Sequence, residues 1–277
     1  MKNILVPTDF SESARHATHF GYQLAKKAQG ELTILHVMEI GPVQDGEYYI
    51  SGQLINRMSQ ECEEKLKAAA QPFADKIATH TFLMSANAMG GVKNSITQMD
   101  SDIIVLGGHH DATSLSHAAF GSTIENVIRS TKCPIVNITG NTRLDNITNV
   151  LIAFDPETFN EFTALELKEV LNLDNHHLTF LWVDKVSGKY HIEELEQFLE
   201  SHMEKIEFRN YTLQILKDLS VEHGIVNAIE TLSPDLLVLT THGRSGLKRF
   251  FYGSISEKLV GEIAIPSLIL HLRDEVN

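Results

Sequence analysis

Along the first 140 residues, short apolar runs alternate with longer segments whose apolar positions return every three or four residues. The runs near 3–8, 31–38, 80–85, 102–107 and 134–139 read as strands. The segments near 12–29, 52–78, 90–99 and 119–131 read as helices. In 52–78 the stripe Ile55, Met58, Cys62, Leu66 and Ala69 marks a core-facing side. The runs Ile103–Leu106 and Leu236–Leu239 are apolar without a break, as expected of strands covered on both faces. Strand and helix in alternation imply right-handed crossovers, hence an α/β fold with a doubly wound parallel sheet.

The pattern occurs twice. Ile4-Leu5-Val6-Pro7-Thr8-Asp9 is answered by Val150-Leu151-Ile152-Ala153-Phe154-Asp155, and Leu32–Val37 by Leu178–Val183 with Leu, Thr, Leu and Val in register. Asp102–Leu106 matches Asp235–Leu239, Gly121-Ser122 matches Gly253-Ser254, and Cys133–Val136 matches Ile265–Leu268. Five matches in one order define a tandem repeat joined through polar Gly140–Asn146, with domains at 1–140 and 147–277. In doubly wound sheets ligands sit beyond the carboxyl ends of the strands, where the strand order reverses. The best-repeated segments lie there: Asp9 and Asp155, Val37 and Val183, and the loops after Leu106 and Leu239.

Charge narrows the choice of ligand. The chain carries −13 overall, with 11 basic against 14 acidic residues in 1–140 and 12 against 22 in 141–277. Without a basic stripe a nucleic-acid partner is not expected. No run approaches the length of a membrane span, no signal peptide opens the chain, and the only two cysteines, Cys62 and Cys133, lie far apart; a cytoplasmic protein is expected. His109, His110 and His117 beside Asp111 match no zinc framework, so no metal site is assigned. GxSxG, GxxxxGK[ST] and a dinucleotide GxGxxG are all missing, and no catalytic residue is assigned.

The richest local signal is Thr240-Thr241-His242-Gly243-Arg244-Ser245-Gly246, continuing through Lys248 and Arg249 to Gly253-Ser254-Ile255-Ser256. Glycines let a backbone approach an anion, and amides at a helix start with serine hydroxyls form a phosphate cradle. Three cations in an acidic half suit a local anion site. The same residues also fit a glycine-rich turn ending in an ordinary serine cap.

With these residues the chain resembles a tandem member of the universal stress protein family, over nearly its whole length. That resemblance implies two Rossmann-like domains of the adenine nucleotide alpha hydrolase type. The family's ATP-binding branch carries G-x2-G-x9-G-[S/T]; Gly243, nine residues and Gly253-Ser254 supply the second part, and Thr240 stands at the first glycine. By resemblance Gly243, Gly253, Ser254 and Ser256 would hold phosphates, with His242, Arg244 and Ile255 beside them. Asp155 would bond the ribose, the backbone of Val183 would read adenine, and Ala153 and Phe154 would line the pocket. The ligand would be ATP, or AMP or ADP, with Mg2+ as the accompanying ion.

The first repeat keeps Pro7, Thr8, Asp9, Val37, Gly107, Gly121 and Ser122, but its loop has His110 at the second glycine, Asp111 beside it and no cation. It reads as a degenerate partner. The resemblance also implies an internal pseudo-dimer through Ile135–Ile138 and Ser267–Leu270, a homodimer as a further option, and an unidentified protein partner. The expected role is stress adaptation or signalling; the rivals are a scaffold that binds no nucleotide and a slow or autophosphorylating ATPase.

Overall fold

The computed structural model describes residues 1–40, 52–87, 91–108, 127–128, 131–172, 175–185, 189–241 and 263–271. The chain divides into two compact units, Met1–Thr131 and Lys132–Asn277. In the first, β1 (Asn3–Pro7), α1 (Glu12–Lys27), β2 (Glu31–Ile40), α2 (Gly52–Ala74), β3 (Thr79–Asn87), α3 (Gly91–Gln98) and β4 (Ile103–Gly107) follow in turn. Its strands run parallel in the order β3-β2-β1-β4. The order reverses at β1, whose neighbours are β2 on one side and β4 on the other.

The second unit contains β5 (Ile135–Ile138), a 3-10 turn (Leu144–Asn146), β6 (Asn149–Ala153), α4 (Glu161–Leu171) and β7 (His177–Asp184). It continues with α5 (Ile192–Lys205), β8 (Tyr211–Lys217), α6 (Val221–Leu232), β9 (Leu236–Thr241) and β10 (Ser267–His271). The strand order is β5-β10-β9-β6-β7-β8, parallel throughout except that β5 runs against β10. That antiparallel pair joins the last strands of the two sequence repeats, with Ile135 opposite Ile269 and Asn137 opposite Ser267. The reversal falls at β6, between β9 and β7. The doubly wound α/β architecture expected from the alternating pattern is present in both units.

The continuous apolar runs are buried as their composition requires: Ile103–Leu106 and Leu236–Leu239 belong to the core with Ile4–Val6 and Val150–Ala153. Three of the described helices, α1, α4 and α6, start on short polar side chains that accept an orphan amide. Ser11 accepts from Ala14 N, Asn160 from Thr163 N and Ser220 from His223 N. The repeated aspartates before β4 and β9 serve the end of the sheet opposite the candidate sites. Asp102 accepts Asn3 N at 2.7 Å, and Asp235 accepts Thr148 N at 3.0 Å and Asn149 N at 2.8 Å. Partial burial alone would raise the Asp235 carboxyl, but these bonds outweigh it and hold it below the usual range.

Candidate functional site

In the second unit the carboxyl ends of β9, β6 and β7 lie side by side. Ala153 at the end of β6 pairs with Leu239 on β9 and Leu181 on β7. Successive residues of a strand face opposite sides, so Val183 shares the Ala153 side while Thr240 takes the other. Phe154 N still donates to Leu181 O at 3.2 Å, which carries the ladder one residue past the strand. The Phe154 ring meets Phe159, Phe180 and Phe198 and is fully buried, so its side chain belongs to the aromatic core.

Asp155 opens the connection to α4 and is only 5% exposed. Its Oδ1 accepts Glu157 N at 3.0 Å, while its carbonyl accepts Thr158 N and Phe159 N. The turn therefore fixes a buried carboxylate just beyond the end of β6, the strand at which the order reverses. Thr240 is completely buried, and its hydroxyl finds no partner among the described residues. Such an orphan in a strand end is uncommon enough to require a reason.

Two groups near this mouth were not singled out by motif. Lys189 donates to Glu157 at 2.8 Å and lies 5.9 Å from the Trp182 ring centre; Tyr190 sits edge-on to Trp182. The Lys189 bond holds the Glu157 carboxyl below its ordinary range, Glu157 raises Lys189, and burial raises the Tyr190 phenol. Beyond β8, Asp218 Oδ2 accepts His223 Nδ1 at 2.7 Å and Asn227 Nδ2 at 3.1 Å, and Oδ1 accepts Leu219 N and Ser220 N. The His223 bond, with these amides, lowers the Asp218 carboxyl. An aspartate two residues before a helix cap, with histidine five residues on, is the sequence signal that Asp218 and His223 offered; Glu157 and Lys189, 32 residues apart, offered none.

The first unit builds its mouth differently. Asp9 is exposed, and its Oδ1 accepts Ser11 N at 2.9 Å. Thr8, nearly buried, accepts Phe10 N on its hydroxyl, and its carbonyl accepts His36 Nδ1 at 2.7 Å. Phe10 adopts φ 66°, rare for an aromatic residue, with its ring 4.4 Å from His36. Pro7, Val37 and Gly107 are half-buried. A Cβ on Gly107 would lie 2.5 Å from the Ser13 carbonyl, so β4 meets the start of α1 backbone to backbone. His242, Gly243, Arg244, Gly253, Ser254, Ile255 and Ser256, together with Gly121 and Ser122, lie outside the described residues. Among the described residues no three His, Cys, Asp or Glu side chains gather as a metal site, and no helix is long and apolar enough to cross a membrane.

Two doubly wound α/β units in tandem, each with an aspartate at its reversal strand, define the class. The sequence profile of the Universal stress protein family matches residues 1–138 and 191–271, well over half the chain. The chain belongs to the universal stress protein family. A universal stress protein of Synechocystis sp. is 25% identical over 97% of this chain and 99% of its own length. One from Methanocaldococcus jannaschii is 26% identical over 49% of this chain and 80% of its own. In structure, a universal stress protein from Archaeoglobus fulgidus covers 98% of this chain and 97% of its own at TM-score 0.74 and 21% identity, a likeness of fold.

Proposed function

We propose that the second unit binds an adenine nucleotide, ATP in first place, and that occupancy alters the exposed surface a protein partner reads in stress adaptation or signalling. The observation that carries this reading is Asp155: a carboxylate 5% exposed, fixed by its own turn at the strand where the order reverses. A buried carboxylate suits the paired hydroxyls of a ribose, which donate to it. The buried Thr240 hydroxyl without a described partner is the kind of group a ligand, or the loop closing on one, would satisfy. The phosphates would fall to Gly243, Gly253, Ser254 and Ser256, with Arg244 opposing the acidic field of this half. Mg2+ would arrive with the phosphates.

Calorimetric titration with ATP and magnesium tests the reading. Saturable binding is expected, weakening from ATP through ADP to AMP, and Gly243→Asp should abolish it. A flat titration with folded protein would overturn the proposal in favour of a scaffold. The slow-ATPase alternative predicts product after an overnight incubation; on the binding reading ATP remains intact.

A further inference from the structure

We propose that His223, oriented by Asp218, reads the amino edge of the purine and gives the second unit its preference for adenine over guanine. This rests on the reading of the second unit as a nucleotide site with its base at Val183. The geometry starts from Gly224. A Cβ there would lie 2.7 Å and 2.8 Å from the two methyls of Val183, and 3.4 Å from the Asp218 Cβ. The first turn of α6 thus lies against Val183 without a side chain between them. Asp218 N donates to Asp184 O, which holds the same segment to the end of β7. His223 is the residue before Gly224, at the carboxyl-end mouth of the sheet.

Its ring is held rather than loose. Asp218 Oδ2 lies 2.7 Å from Nδ1, and Asp218 is itself fixed by Leu219 N, Ser220 N and Asn227 Nδ2. A carboxylate only accepts, so Nδ1 carries the proton and Nε2 of the neutral ring presents a lone pair. The His223 side chain is 68% exposed, whereas that of Asp218 is 12% exposed. A solvent-facing imidazole locked in one tautomer accepts from an exocyclic amine and repels a carbonyl oxygen. Adenine offers the amine at that position of the ring; guanine offers the oxygen.

The test is titration of the full chain with ATP and with GTP. His223→Phe keeps a flat ring without the lone pair; it should weaken ATP about fivefold and leave GTP nearly unchanged. Asp218→Asn can still accept the turn amides, but its own amide now donates to Nδ1 and moves the proton to Nε2. That variant should weaken ATP and strengthen GTP, and nitrogen NMR of the histidine should show the exchanged tautomer. Unchanged ATP-to-GTP ratios in both variants, with ATP still bound, would overturn the assignment of His223 alone. If the unaltered chain binds neither nucleotide, the reading of the whole site falls and this inference with it.

Discussion

The two units carry the same opening pattern and finish it with different turns. Four residues separate β1 from α1, whereas seven separate β6 from α4. The short connection forces Phe10 to φ 66° and brings the start of α1 against Gly107, where a side chain cannot fit. The long one adds a turn closed on the Asp155 carbonyl and leaves room for a complete side chain at Thr240, the repeat equivalent of Gly107. Asp9 is exposed as a result and Asp155 buried. A difference of a few loop residues, not of strands, separates an open turn from an enclosed carboxylate.

The sharpest way to break this comparison is to exchange the two positions. Gly107→Thr should destabilise the first unit by at least about 3 kcal/mol in denaturant unfolding, because the obstructing atoms are backbone and cannot swing aside. Thr240→Gly should cost about 1 kcal/mol, chiefly from added freedom of the unfolded chain. Equal costs would mean that the connection length does not set the helix approach.

The next effect compares the two final strands. Thr139 donates to Ala264 O at 3.0 Å, while His271 at the same repeat position is 4% exposed and neither ring nitrogen has a partner among the described residues. Burial lowers the imidazole from the ordinary 6.5 to about 4. A depressed histidine binds its proton more readily unfolded, so its contribution is complete above pH 6.5 and lost as pH falls toward 4. The loss amounts to about 3 kcal/mol across that window. His271→Leu should flatten it in unfolding measured from pH 7 to 4; an unchanged slope would assign the acid sensitivity to other groups.

On the ligand side, Asp155→Ala should weaken ATP by about 2 kcal/mol in calorimetry, the worth of hydrogen bonds to a charged acceptor. Asp9→Ala should leave that affinity unaltered. Equal losses would show that the exposed aspartate also serves a nucleotide.

These differences mark the limit of what the sequence discloses. In the first repeat the five strands were legible because burial on both faces leaves unbroken apolar runs, and three helices because apolar positions return every three or four residues; the helix expected near 119–131 lies outside the described residues except at 127–128. The place of Asp155, Val183 and Thr240 at the strand ends by the reversal was legible because that rule needs only strand ends. The burial of the Phe154 ring among Phe159, Phe180 and Phe198 was not legible, because the apolar pattern does not say which face of the strand end gathers the other rings. Asp218 with His223, and Glu157 with Lys189, depend on loop paths that periodicity does not encode. The exposure of Asp9 was equally hidden, since its hexapeptide resembles the one ending in Asp155.

The smallest effect concerns what steadies the longer connection. Lys189 ties the segment after β7 to Glu157, two residues beyond Asp155, but both side chains are close to half exposed. Water and salt screen such a pair, so Glu157→Gln should cost no more than about 0.5 kcal/mol. The sign follows from the lowered Glu157 carboxyl: its contribution is present at neutral pH and fades as the group takes up a proton in acid. If the Asp155 turn is self-supporting through its own amides, ATP affinity should survive Glu157→Gln almost intact. A loss matching that of Asp155→Ala would instead make the Lys189 tie, rather than connection length, the source of the difference between the two mouths.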